Sequence, residues 1–175
     1  MGIEIRAATK ADVEAVSATG RRLFVQAYGN TSGAEDIAAH VEDYFGESAV
    51  AVELAEPDVT YLLAMDDDDI AGFMKTRQSA IPDDVPANRA LEVQQLYVCA
   101  SQQRKGIGRL LMDRTVSSAR EGGFEGLWLS VWQDADWAVN FYRAYGYQVK
   151  GTAVFELGQS RYTDFLMWFP LEPAS

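Results

Sequence analysis

Residues 91–109 read LEVQQLYVCASQQRKGIGR, and the interpretation of the chain turns on this stretch. Leu91, Val93, Leu96 and Val98 alternate as a strand does, with one slip of phase at Gln94-Gln95. A short polar loop follows, and a helix restarts at Gly106. The first N–H groups of a helix lack partners inside it, and the aligned peptide dipoles add roughly half a positive charge there. In Gln103-Arg104-Lys105-Gly106-Ile107-Gly108 two glycines let backbone approach a ligand closely, and two cations stand beside them. A strand running through such a loop into a helix is suited to a pyrophosphate.

Two common phosphate loops do not fit. GxxxxGK followed by Ser or Thr occurs nowhere, and the dinucleotide pattern GxGxxG fails because Leu111 stands where the third glycine belongs. What remains is Q-x-x-G-x-G between a strand ending Leu-Tyr-Val and an amphipathic helix.

Composition narrows the partners. A chain of 175 residues fits one domain with a real core, here residues 1–175, and nothing in it repeats or reads as a linker. No apolar run nears the ~20 residues of a membrane span, and the opening MGIEIRAATK lacks a signal-peptide core. The net charge of −11 argues against nucleic acid, which is bound by neutralising phosphates. It suits solubility, and it also suits a cationic substrate. Cys99 is the only cysteine and His40 the only histidine, so an internal disulfide and a Cys/His metal cluster are excluded by count. Cys99 reads as a buried structural residue rather than a nucleophile, and the cytoplasm is the expected compartment.

The remaining elements follow from period and punctuation. Ile3 to Ala7 is an opening strand, and Thr9 with Asp12 has capping-box spacing. One helix carries Val13, Val16, Leu23, Phe24 and Ala27, and a second carries Ile37, Val41, Tyr44 and Phe45 on one face. A third runs from Glu47 to Ala55. The first two either cover a sheet or roof a substrate cleft. His40, Glu35, Asp36, Glu42 and Asp43 read as their solvated face. Tyr61–Met65 and Ile70–Ser79 form a hairpin across the acidic turn Asp66–Asp69.

The central helix is expected from Gly106 to Glu121, with Ile107, Leu110 and Leu111 inward and Arg109, Asp113 and Arg120 outward. GLWLSVW, residues 126–132, reads as a strand of the kind buried in parallel sheet. A helix over Trp137–Ala144 and strands Tyr147–Leu157 and Tyr162–Phe169 complete an α/β layout around a mixed sheet.

The glycine loop resembles the coenzyme A loop of the GNAT superfamily of N-acetyltransferases. Val131, Ala138, Phe141-Tyr142 and Gly146-Tyr147 are similar in spacing to that superfamily's closing motif. VFELGQSRYTDFLMWFPL, HVEDYFGESAVAVELAEP and LEVQQLYV resemble its bacterial spermidine/spermine branch. The resemblance implies a single α/β (α+β) domain with a mixed, mostly antiparallel sheet flanked by helices, and acetyl-CoA as co-substrate. It implies that the main chain at Leu96, Tyr97 and Val98 pairs with the pantetheine arm. The Val98 N–H would hold the oxyanion, a contribution of ~3–4 kcal/mol where such donors have been removed. Amides over Gln103, Arg104, Lys105, Gly106, Ile107, Gly108 and Arg109 would hold the pyrophosphate, and Tyr142 would protonate the departing thiolate.

One position departs from the pattern. Ala135 occupies the place where the family commonly has a pantetheine-contacting asparagine, and Asn140 lies five positions away. An acceptor ammonium of pKa ~10.4 must lose a proton, and with no histidine in the central region a carboxylate acting through water is the expected base. Glu92 is the first choice, followed by Asp164 and Glu156. The expected activity is direct acetyl transfer to a primary amine of a small cationic molecule such as a polyamine. Acetylation of a protein N-terminus or lysine, and a non-catalytic acyl-CoA sensor, are the alternatives. The expected partner is a small-molecule amine, with no nucleic acid and no membrane, and a homodimer is left open.

Overall fold

Alternating side chains sort the β-strands between two helical layers. In the computed structural model, which describes residues 2–172, β1 (Glu4–Ala7), β2 (Val59–Asp66), β3 (Asp69–Arg77), β4 (Ala90–Val98), β5 (Gly126–Trp132), β6 (Gln148–Leu157) and β7 (Ser160–Pro170) form one sheet. Its order is β1-β2-β3-β4-β5-β7-β6, antiparallel except where β4 meets β5. The helices are α1 (Val13–Tyr28), α2 (Ala34–Phe45), α3 (Glu47–Ala55), α4 (Ile107–Glu121) and α5 (Asp136–Tyr145).

Strand β2 shows how the layers arise. Leu62 and Ala64 face the α4 side, whereas Tyr61, Leu63 and Met65 face the α1–α3 side. Leu63 and Phe73 are fully buried there, each contributing about 1.5–3 kcal/mol of transfer free energy. Ser17 in α1 caps the end of α2 by donating to the Phe45 carbonyl, and Gly20 lets the Phe45 ring lie against the α1 backbone. Glu53 fixes α3 to the sheet through Lys75 at 2.6 Å and Arg77 at 3.3 Å.

Several expectations need correction. In α4 the inward face is Ile107, Leu111, Met112, Thr115, Val116 and Ala119, while Leu110 is exposed. Its position falls about 100° round the helix from Leu111, so Met112 takes the inward place. Tyr44 is likewise exposed in α2. Strand β5 is buried on both faces over residues 126–129, with Ser130 exposed, yet it pairs in parallel with β4 only over Ala90↔Gly126, Leu91↔Leu127 and Glu92↔Trp128. Along its whole length it runs antiparallel to β7. A two-sided apolar run records burial, and strand direction is a separate matter. Cys99 is buried, donating to the Ile70 carbonyl at 3.3 Å and accepting from Arg22.

Candidate functional site

Strands β4 and β5 start as neighbours and then part. Beyond Glu92↔Trp128 they share no register. The cause lies in the phase slip of the sequence. On β3, Lys75 pairs with Gln95 and Thr76 with Val93, so Gln94 is an extra residue bulged out of β4. A bulge bends its strand and increases its twist, and the C-terminal half of β4 swings from β5. A cleft of about 910 Å³ fills the gap.

The alternation of β4 determines which of its groups face that gap. The Cys99 N–H donates to the Ala71 carbonyl on β3. In an antiparallel ladder the peptide groups of alternate residues point to opposite sides, so Tyr97 turns toward β3 while Leu96 and Val98 turn toward the cleft. The Val98 carbonyl accepts from Gln103 Nε2 at 3.2 Å, tying the glycine loop to the strand end.

At the mouth of the cleft, Gly106 caps α4 at φ 81°, a left-handed conformation that side chains disfavour, and open space surrounds its Cα. The first α-helical bond here runs from the Leu110 N–H to the Gly106 carbonyl, which leaves the Ile107, Gly108 and Arg109 N–H groups facing outward. Gly108 has a different reason to be glycine. A β-carbon there would lie 3.2 Å from the Phe141 ring, which packs α5 on the first turn of α4. Arg104, Gly106, Ile107, Gly108 and Arg109 line the cleft, while the exposed Lys105 instead donates to Gln102 at 3.2 Å. Unpaired amides, an open glycine and nearby cations are the donor set a diphosphate needs, so the residues present fit coenzyme A.

Tyr142 reaches the cleft from α5. The Gly146 and Tyr147 N–H groups both donate to its carbonyl, at 3.1 and 3.0 Å, and Gly146 ends the helix at φ 125°. Its ring is held edge-on between Phe141 and Tyr147. Burial, with a smaller effect from Tyr28, pushes its hydroxyl well above the ordinary tyrosine value, so it stays protonated. Ala135 is fully buried as the α5 N-cap and lines no part of the cleft, and Asn140 is exposed.

The three carboxylates occupy different settings. Glu92 is half-buried and accepts from Ser79 Oγ and Gln94 Nε2 on one oxygen. Asp164 is buried, with Oδ2 accepting from Ser130 at 2.6 Å, and burial raises its carboxyl against that donor's opposing pull. Both line the cleft. Glu156 is exposed, pairs with Arg161 at 3.4 Å and lies outside it, so it is no longer a candidate base.

His40 is also a correction. It does not sit on a solvated face but lines the cleft, stacked on Phe24 and Tyr44 with centroids 4.5 and 4.4 Å away, and burial lowers its pKa. The α1–α2 insert therefore walls the cleft. Tyr28, Trp132, Trp137, Phe155 and Tyr162 are cleft residues that sequence reading missed. The polar Ser130 within GLWLSVW was the one available signal.

Comparison with known proteins agrees with this geometry. The chain is 29% identical over 166 residues to an uncharacterized N-acetyltransferase of Lactobacillus delbrueckii subsp. lactis, covering 95% of this chain and 96% of that protein. It is 34% identical over 92 residues to the streptothricin acetyltransferase of Streptomyces lavendulae, covering 53% and 46%. The fold matches the PaiA N-acetyltransferase of Thermoplasma acidophilum in complex with coenzyme A with a TM-score of 0.81, at 22% identity over 98% of this chain and 100% of that one. The model of the acetyltransferase (GNAT) family matches residues 22–147, which takes in the parted strands, the glycine loop and Tyr142, and the chain belongs to that family.

Proposed function

We propose that this acetyl-CoA-dependent N-acetyltransferase acts on the primary amine of a small cationic acceptor such as a polyamine, by direct transfer in a ternary complex. One observation carries the reading: the β4–β5 gap joins the α4 mouth to a second face where Glu92 and Asp164 lie. The face follows from register. Trp128, Ser130 and Trp132 point to one side of β5, and Glu92 joins them from β4. After the bulge Gln95 returns to that side, opposite Lys75, and Asp164 reaches it from β7, opposite Trp132. Leu96, Val98 and Tyr142 pack on the α4 side. Cofactor and acceptor would approach through opposite openings.

Acetyl-CoA supplies an activated acetyl group as a thioester. The α4 amides and the Leu96 and Val98 edge of β4 would fix it, the Val98 N–H drawing charge from the thioester carbonyl. The acceptor ammonium gives one proton to Glu92 through water, its freed lone pair forms the C–N bond, the C–S bond breaks as the Tyr142 hydroxyl protonates the sulfur, and the nitrogen's second proton returns through water to the Tyr142 oxygen. The acceptor class rests on the −11 charge, on the branch resemblance and on the two cleft carboxylates. A cytoplasmic setting accords with the single buried cysteine; among the described residues no helix is long and apolar enough to cross a membrane.

The test is release of free thiol from acetyl-CoA with spermidine, spermine, amino acids and lysine peptides. Release with the polyamines is expected. Release only with peptides would favour a protein acetyltransferase, and binding of acetyl-CoA without turnover of any amine would favour a sensor.

A further inference from the structure

The acceptor face of the cleft holds two buried acceptors with no donor. Asp164 is 6% exposed; Ser130 occupies its Oδ2, and its Oδ1 has no hydrogen-bond partner. Gln95 is 8% exposed, and its Oε1 has none either. Both residues line the cleft and project to the same side of the sheet. Buried polar atoms are nearly always paired, so two unpaired on one face of one cavity call for a ligand with several donors. A primary ammonium has three.

Aromatic rings surround this face. Tyr28 lies 6.2 Å from Trp137, and Tyr162 lies 5.4 Å from Trp132 and 6.5 Å from Phe155, centroid to centroid. His40, stacked on Phe24 and Tyr44, meets Phe155 edge-on at 5.9 Å. Ring faces attract cations and repel anions. Burial keeps His40 neutral, so it does not repel a cation. Among the described residues the cleft's cationic side chains are Lys75, Arg104 and Arg109. Lys75 is paired with Glu53, and the two arginines stand at the α4 mouth.

We propose that Asp164 and Gln95, ringed by these aromatics, form a subsite for the acceptor's ammonium that selects primary amines with no carboxylate next to the nitrogen. The inference rests on the N-acetyltransferase reading and deepens it. An α-carboxylate beside the ammonium would be brought against the Asp164 charge and the negative ring faces, and the neighbouring cation, Lys75 opposite Gln95, is already paired with Glu53. An alkyl or aryl group there would pack against the surrounding rings. Decarboxylated amines therefore fit, and their parent amino acids do not.

Matched pairs test this with the full-length protein: cadaverine against lysine, and 2-phenylethylamine against phenylalanine, each followed by free thiol. The amine of each pair is expected to show at least a hundredfold higher kcat/KM. Asp164→Asn, nearly isosteric, should raise the amine KM tenfold or more and narrow the gap within each pair, with the acetyl-CoA KM unchanged. Phe155→Leu should raise the amine KM a few-fold. The matched-pair comparison uses the wild-type protein, so its result does not depend on any variant folding.

Amino acids equal to or better than their amines would overturn the proposal, as would an unchanged amine KM in Asp164→Asn. In those cases acetyl transfer itself stands. Absence of thiol release with every amine and lysine peptide, despite acetyl-CoA binding, would sink the acetyltransferase reading and this inference with it.

Discussion

Tyr142 and Asp164 are both buried ionisable groups, and burial holds each toward its neutral form. For Tyr142 that preserves a donor. Replacing it with Phe removes only the hydroxyl from a ring whose packing stays, so turnover should fall by about a hundredfold, the usual scale of a lost acid. Acetyl-CoA affinity measured by calorimetry should be unchanged; an unchanged rate would remove Tyr142 as the acid. For Asp164 burial is a cost. Its folded pKa is raised, so its contribution to stability is full below the unfolded value of about 3.9 and is lost as pH rises through the folded one. Asp164→Asn should therefore melt higher than the wild type at pH 7, with the gap closing below about pH 4. A lower melting point at pH 7 would contradict this. That the glycine loop and Tyr142 meet at one cleft was legible in the sequence because each sits in a patterned context, while their roles are proposals. The place of Gln95 was not, because the bulge at Gln94 resets which side of β4 each later residue faces.

Among the described residues the five α-helices and seven strands largely follow hydrophobic period and punctuation, and the first capping device works as its spacing implies. Asp12 accepts from the Thr9 N–H at 2.7 Å and pairs with both Arg6 terminal nitrogens at 2.9 and 2.8 Å. These bonds, Arg6 foremost, lower its pKa to about 2. A carboxyl lowered on folding adds stability above its unfolded pKa and loses it as pH falls through the folded one. Asp12→Asn should thus lower the melting temperature at pH 7, and the deficit should shrink between about pH 4 and pH 2. A deficit independent of pH would assign the loss to packing. Other features lay beyond local pattern. That β7 inserts between β5 and β6 is a choice among sheet partners separated by many residues, and nothing in the period of GLWLSVW announces it.

Over the whole molecule, one extra residue in β4 has the largest consequence. It parts two strands, opens a passage between the helical layers, and leaves the α4 mouth on one side and Asp164 on the other. The acidic net charge surrounds a mouth that is itself cationic, with Arg104, Lys105 and Arg109 beside unpaired amides. In the proposed reading, anion recognition is thereby confined to one end of the cleft. The central claim is that these amides grip a diphosphate and so aim a thioester along β4. Isothermal titration with acetyl-CoA and with S-acetylpantetheine, which carries the same thioester without the diphosphate, tests it most directly. One saturable site for acetyl-CoA is predicted, with S-acetylpantetheine at least a hundredfold weaker. Equal affinities, or no heat from millimolar acetyl-CoA, would contradict it.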